Sequence, residues 1–233
     1  HAQEIFSQHF NVLIFFAKIR PDKRTHNFKL LNKVCKVWEV QSPKGAELQR
    51  WVVKKTEEGG GKIGHEAAAE LIYLVGSDMR ALANEIAKLI NYDANITVAN
   101  VRALAVRTIP SNIFDLVSTV VQGRNDRAMN IMESLFRSGA AEPYLLHMLA
   151  RQYRLLFRVL FQKAKGYGSS EIQKMMPMHP YAFQKLYAQS ASSTLEQCAS
   201  SLQEIGRADY LFKTGQSQGL SLLQGLIAKL AKK

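Results

Sequence analysis

Apolar residues recur every three or four positions through almost all of the chain after Pro43. This is the period of an α-helix that buries one face, so the pattern predicts a succession of amphipathic helices. Capping residues, glycines and prolines divide the succession. The predicted helices are 46–55, 66–75, one capped by Ser77, one from Thr97 to Ala105, one capped by Ser111 or Asn112, one capped by Asn125 and stopped by Gly139, one from Pro143 to about Lys165, a short one from Ser169 or Ser170, one from His179 and Pro180, one opened by a capping box at 193–196, and a last one around 220–230.

The first 43 residues have a different pattern. Two runs of β-branched and aromatic residues, 12–17 and 34–40, predict strands, and 26–33 predicts one or two helical turns between them. Two strands and a crossover do not form a stable sheet by themselves. We therefore expect residues 1–43 to be the C-terminal remnant of an α/β domain whose earlier part precedes this chain.

A linker is predicted at 108–111, Thr-Ile-Pro-Ser, because the residue before a proline avoids helical geometry. It separates a small helical bundle, residues 44–108, from an irregular domain of roughly six helices, residues 109–233. The predicted fold class is thus mainly α in three parts. Apolar residues make up 47% of the chain, which is enough for a buried core and excludes general disorder.

The net charge of +12 is unevenly distributed. Residues 1–55 contain 11 basic and 4 acidic side chains, residues 56–142 contain 8 and 11, and residues 143–233 contain 12 and 4. Two basic ends indicate an anionic partner, with nucleic acid the foremost candidate. The alternative is that the excess of lysine and arginine only keeps the protein soluble.

The long helix predicted from Pro143 has a basic stripe, formed by Arg151, Arg154, Arg158 and Lys165. At 100° per residue these four positions fall within an arc of about 60°, opposite the leucines of the same helix. Such a stripe could contact phosphates or an acidic partner subunit. It is equally typical of the solvated face of an amphipathic helix.

No catalytic, cofactor-binding or metal-ligating residues are predicted. Gly59–Gly61 with Lys62 fails the phosphate-loop pattern, because Thr56 replaces its first glycine and Ile63 follows the lysine. His65 lacks a second histidine one turn later, so it is expected at the surface of a helix start. Cys35 and Cys198 are expected to be small core residues in a reducing compartment. No apolar run reaches the length of a membrane helix.

Several fragments resemble one family in order and spacing. The sequence is similar to the delta subunits of the bacterial DNA polymerase III clamp loader, which are AAA+-like proteins. The matching fragments are 76–85 with Lys88 and Leu89, Ile96 and Thr97 with Val101, 112–117, 150–156, 179–181 with Lys185, and 208–210 with 213–215.

The resemblance implies a lid at 44–108, a collar at 109–233 and a chain that hydrolyses no ATP. It implies that the intact protein binds and opens the sliding clamp for loading onto primed DNA, through a part absent from this chain. The collar would join the gamma or tau and delta-prime subunits. Primed DNA would be contacted through its sugar-phosphate backbone and not through its bases. The expected location is the cytoplasm. By the same resemblance, Arg80 would occupy about the position at which the lids of active AAA+ proteins have the arginine that senses the nucleotide. Candidate subunit or phosphate contacts are Arg80, Arg151, Arg154, Arg158 and Lys165.

Two alternatives remain open at this stage. The chain could be a truncated ATP-hydrolysing AAA+ protein, in which case a phosphate loop would lie upstream of His1. It could also be a free-standing helical nucleic-acid-binding module, in which case its DNA affinity would depend steeply on salt.

Overall fold

A computed structural model describes residues 14–17, 21–176 and 178–231. The chain divides into two compact units, His1–Ser42 and Pro43–Lys233. The described residues form twelve α-helices, one 3-10 turn and one pair of very short strands. The prediction of a mainly helical chain is therefore confirmed.

The described part of the first unit contains one helix, α1 (His26–Val34). Its N-cap is Thr25, whose side chain accepts a hydrogen bond from the Phe28 N–H. The two predicted strands are wrong for the described residues, because neither 14–17 nor 36–40 has strand structure. A strand needs a neighbour for its backbone hydrogen bonds, and the strand pairing found among the described residues joins 62–63 to 95–96. Residues 12 and 13 of the first prediction lie outside the described part.

We call residues 44–108 the lid segment. It consists of four helices and a two-stranded parallel pair in which Lys62 aligns with Asn95 and Ile63 with Ile96. The strand pair was not predicted, since two-residue strands leave no periodic signal. The elements are α2 (Ala46–Glu58), β1 (Lys62–Ile63), α3 (His65–Val75), α4 (Met79–Tyr92), β2 (Asn95–Ile96) and α5 (Val98–Leu104).

The glycine turn at 59–61 is explained by packing. A Cβ on Gly59 or Gly61 would lie within 2.8 Å of the Ile90 side chain, and Gly60 has a φ of +85°. The Gly61 N–H also donates to the Thr56 carbonyl at 3.0 Å. These glycines therefore let the turn after α2 approach α4.

The lid segment has its own hydrophobic core, formed by side chains from all four helices and both strands. The cap of α4 is Asp78 and not the predicted Ser77: the Asp78 carboxylate accepts from the Ala81 N–H at 2.8 Å. The predicted cap of α5 is confirmed, because the Thr97 hydroxyl accepts from the Asn100 N–H. Both caps satisfy backbone donors that a helix start leaves free.

We call residues 109–233 the collar segment. The described residues of this segment form seven α-helices, which correspond to the seven helices predicted one by one for a domain of roughly six. Its centre is α8, which packs against α11, α6 and α10. The elements are α6 (Ile109–Val121), α7 (Asn125–Arg137), α8 (Glu142–Ala164), α9 (Ser169–Met175), α10 (Pro180–Gln189), a 3-10 turn (Ser190–Ser192), α11 (Leu195–Lys213) and α12 (Gly219–Ala231).

The collar core is a second hydrophobic cluster. Tyr153 and Phe183 are its largest buried side chains, and the Cys198 thiol donates to the Tyr153 carbonyl at 3.3 Å. The capping box of α11 lies one residue later than predicted, between Thr194 and Gln197. On α10 the predicted start is confirmed: His179 is the N-cap and its Nδ1 accepts from the Tyr181 N–H.

The predicted linker at 108–111 is wrong. Thr108 precedes α6, and Ile109, Pro110 and Ser111 form the first turn of that helix. A proline fits there because the first N–H groups of a helix need no intrahelical partner. Neither Ser111 nor Asn112 is the cap.

Among the described residues, no single helix is both long and apolar enough to cross a membrane. Only when α5 and α6 are taken together is a helical stretch long and apolar enough, and the chain bends by 101° between these two helices.

Candidate functional site: the lid–collar junction and the basic face of α8

The two segments meet where α3 packs against α6 and α10. At this junction the Glu70 side chain is only 2% exposed. Its carboxylate accepts hydrogen bonds from Arg102 Nε at 3.0 Å and from the Tyr181 hydroxyl, and Lys185 Nζ lies 2.8 Å from Oε2. Arg102 belongs to the lid segment, whereas Tyr181 and Lys185 belong to the collar segment. One buried carboxylate thus connects both segments.

Aromatic rings surround this ion pair. Lys185 Nζ lies 4.3 Å from the centroid of the Tyr73 ring and 5.2 Å from that of Tyr181. Tyr73 makes edge-to-face contacts with Phe114 of α6 at 5.6 Å and with Tyr181 at 6.2 Å. The rings exclude water from the carboxylate and attract the ammonium group. We call Glu70, Tyr73, Arg102, Tyr181 and Lys185 the junction cluster.

The junction cluster holds Glu70 in its charged form. Burial raises the pKa of this carboxyl, but the hydrogen bonds from Lys185, Tyr181 and Arg102 outweigh burial, and the pKa lies below its usual value. Burial, followed by the hydrogen bond to Glu70, raises the pKa of Tyr181. At neutral pH the cluster is therefore a carboxylate with a neutral phenol and two cations. Such a set fastens two surfaces.

A second set of contacts ties the start of α6 to α3. The Thr108 N–H and hydroxyl both donate to the Leu74 carbonyl, at 2.8 and 3.1 Å. Arg107 donates to the Asp115 carboxylate, and this pair lies half-buried beside the junction cluster. Burial raises the pKa of Asp115, and the charge of Arg107 opposes that effect. The point where the lid segment continues into the collar segment is thus tied both to α3 and to α6.

The basic stripe predicted on the long helix is present on α8. Arg151, Arg154 and Arg158 are exposed on it, and Lys165 is its C-cap. Arg158 Nη2 donates to the Met175 carbonyl at 3.4 Å, and Lys165 Nζ lies 4.5 Å from the Phe161 ring centroid. The opposite face is buried in the collar core, as predicted.

Arg80 does not join the other predicted contact residues. It is exposed in the first turn of α4, in the lid segment. No hydrogen bond or ion pair within the described ranges links it to the α8 stripe. His65 begins α3 and is exposed, as predicted. Cys35 follows α1 as its C-cap and is half-buried, so its placement in a strand was wrong.

The junction cluster was missed by the sequence reasoning, although a signal existed. Tyr181 and Lys185 lie in a fragment that resembles the delta family, yet no role was assigned to them. Glu70 follows three buried alanines and precedes buried Leu71 on α3. A charged residue on the apolar face of a helix is rarely buried without a partner, which indicates a hidden cation.

The two cysteines should differ in reactivity. Burial raises the pKa of the Cys198 thiol to about 12, whereas Cys35 is half-buried. We expect a thiol-specific reagent at pH 8 to label one thiol per chain in the native state and two in 6 M guanidinium, because the thiolate is the reactive form. Cys35→Ser should abolish native labelling and Cys198→Ser should leave it unchanged. Rapid native labelling of both thiols would contradict the buried position of Cys198.

No group of three or more histidine, cysteine, aspartate or glutamate side chains within the described residues is arranged to hold a metal ion. The geometry instead consists of a fastened junction and a cationic helix face.

The fold is similar to that of a solved clamp-loader protein. It superposes on the Bacillus subtilis DNA clamp loader delta protein with a TM-score of 0.65 and 24% identity, covering 92% of this chain and 64% of that one. The chain belongs to the family of the DNA polymerase III delta subunit, C-terminal domain, whose family model matches residues 110–230.

Two curated relatives agree with this assignment. DNA polymerase III subunit delta of Bacillus subtilis is 24% identical over 215 residues, which is 91% of this chain and 62% of the relative. The Escherichia coli subunit delta is 26% identical over 126 residues, 53% of this chain and 37% of the relative. The chain thus spans about three fifths of the Bacillus subtilis relative.

Proposed function

We propose that this chain is the lid and collar part of a clamp-loader delta subunit, which in its intact form binds and opens the sliding clamp for loading onto primed DNA. The match of the delta C-terminal family to residues 110–230 carries the proposal. In this role the chain forms and breaks no covalent bond of its own. It belongs to a DNA polymerase assembly as a non-catalytic component in the cytoplasm.

The proposed division of labour follows the three predicted parts, 1–43, 44–108 and 109–233. The collar segment joins the gamma or tau and delta-prime subunits, and the clamp is contacted by the preceding part of the protein. Two separate hydrophobic cores support the division between lid and collar. The junction cluster fixes their relative orientation, so that a collar bound to its neighbours also positions the lid.

Assembly with the other loader subunits tests this proposal. The chain, mixed with gamma or tau and delta prime at micromolar concentration, is expected to co-elute with them in size-exclusion chromatography and to sediment as a larger complex than any pair. The control is each component run alone. A chain that elutes separately under all ratios would overturn the proposal. Binding to DNA without assembly would favour the free-standing nucleic-acid-binding alternative.

A further inference from the structure

One exposed face runs the whole length of α8. Its positions alternate in steps of three and four residues, so they lie in one line along the helix. All seven side chains are exposed, and none is acidic. We call this line the α8 face, and it consists of Tyr144, His147, Arg151, Arg154, Arg158, Phe161 and Lys165.

The cations of the α8 face lack the acidic partners that other helices supply. Pairs three or four residues apart occur on α2, α4, α7 and α11. Within the described residues, no ion pair involves a cation of the α8 face. The one acidic residue of α8, Glu142, accepts from the Gly219 N–H at 2.7 Å in the first turn. An ordinary solvated helix face mixes both signs, and this face does not.

Two of the cations are held in place from within the collar segment. Arg158 donates to the Met175 carbonyl at the end of α9, and Lys165 lies over the Phe161 ring. Their side chains therefore lose less conformational freedom on binding a ligand. Arg154 and Arg151 are exposed one and two turns before Arg158.

The composition of the face favours a polyanion over a protein surface. A stable protein interface has an apolar centre surrounded by polar residues. The centre of the α8 face is three arginines, and its two aromatic residues lie near the ends. From Arg151 to Lys165 the helix rises about 21 Å. One strand of duplex DNA places about six phosphates along that length.

We infer that the α8 face binds the sugar-phosphate backbone of DNA. Arg151, Arg154, Arg158 and Lys165 contact phosphates along one strand without reading bases, because guanidinium and ammonium groups pair with phosphate oxygens in any sequence. The inference deepens the proposed function, since it assigns the contact with primed DNA to a site on the collar segment.

The test uses the chain without other loader subunits, so that its outcome is separate from that of the assembly experiment. Fluorescence anisotropy with a labelled 30-base-pair duplex and a 30-nucleotide single strand, from 50 to 200 mM salt, gives the slope of log affinity against log salt. The variant is Arg151→Gln/Arg154→Gln/Arg158→Gln. Three lost phosphate contacts should reduce the slope by roughly 2.7 for duplex or 2.1 for single strand. Between 50 and 200 mM salt, the DNA affinity of the variant should therefore fall by a factor roughly 20 to 40 times smaller than that of the unmodified chain.

The matched control removes three exposed cations of the lid segment, Arg50→Gln/Lys54→Gln/Lys62→Gln, which changes net charge equally. The slope of log affinity against log salt should be steeper for this control than for the α8 variant by at least about 2. Equal slopes for both variants would overturn the inference, because the effect would then be one of net charge. An α8 variant that binds DNA normally but fails to join the loader subunits would also overturn it and would identify the face as a protein contact. Circular dichroism confirms that both variants are folded.

Discussion

Glu70→Ala is expected to lower the free energy of unfolding by about 3–5 kcal/mol, the usual cost of breaking a buried ion pair by removing one partner. The substitution leaves Lys185 and the Tyr181 hydroxyl facing a site from which water is excluded. For a domain of this size the midpoint of thermal unfolding should fall by roughly 6–20 °C. Urea unfolding followed by circular dichroism measures the free energy directly.

The control is Glu66→Ala, one turn earlier on α3, where the side chain is exposed. Its effect should stay within about 0.5 kcal/mol. The Glu70 effect should also depend on pH. Because the pKa of Glu70 is lowered in the folded protein, its stabilising contribution is present above the usual carboxyl pKa and is lost as pH falls through the lowered value. A Glu70→Ala cost below about 1 kcal/mol at pH 7, or one unchanged at acid pH, would contradict the cluster as described.

The helices of this chain could be predicted because their signals are local. A helix shows its buried face within a dozen residues, and α3, α8 and α10 have the expected positions. The strands at 12–17 and 34–40 were wrong in the described part because strand formation depends on a partner, which composition does not reveal. The linker at 108–111 was wrong because Pro110 starts a helix as readily as it interrupts one.

The same distinction separates the two parts of the candidate site. The α8 stripe could be predicted, since its four cations lie on one helix and helical geometry alone aligns them. The junction cluster could not be assembled from the sequence, because Glu70 and Lys185 are 115 positions apart. Only the packing of α3 on α10 brings them together.

The helix α10 connects the collar centre with the lid. On one side the Phe183 ring is fully buried in the collar core, and Gln189 Oε1 accepts from Gln152 Nε2 of α8 at 3.1 Å. On the other side α10 presents Tyr181 and Lys185 to Glu70. A neighbour that repositions α8 would therefore act on the lid through α10.

Phe183→Ala is expected to destabilise the protein by about 3–5 kcal/mol, because it leaves a cavity where a fully buried aromatic ring anchors α10. The control is Phe161→Ala on the α8 face. The Phe161 side chain is 40% exposed, so its loss should cost far less.

In the double variant Phe183→Ala/Glu70→Ala, the cost should be at least 0.5 kcal/mol below the sum of the single costs. Once α10 is displaced from the core, Tyr181 and Lys185 no longer bind Glu70 fully. The Glu70→Ala substitution therefore removes weaker interactions and costs less. Urea unfolding of the four proteins measures this coupling. Strict additivity would show that α10 does not transmit collar packing to the lid.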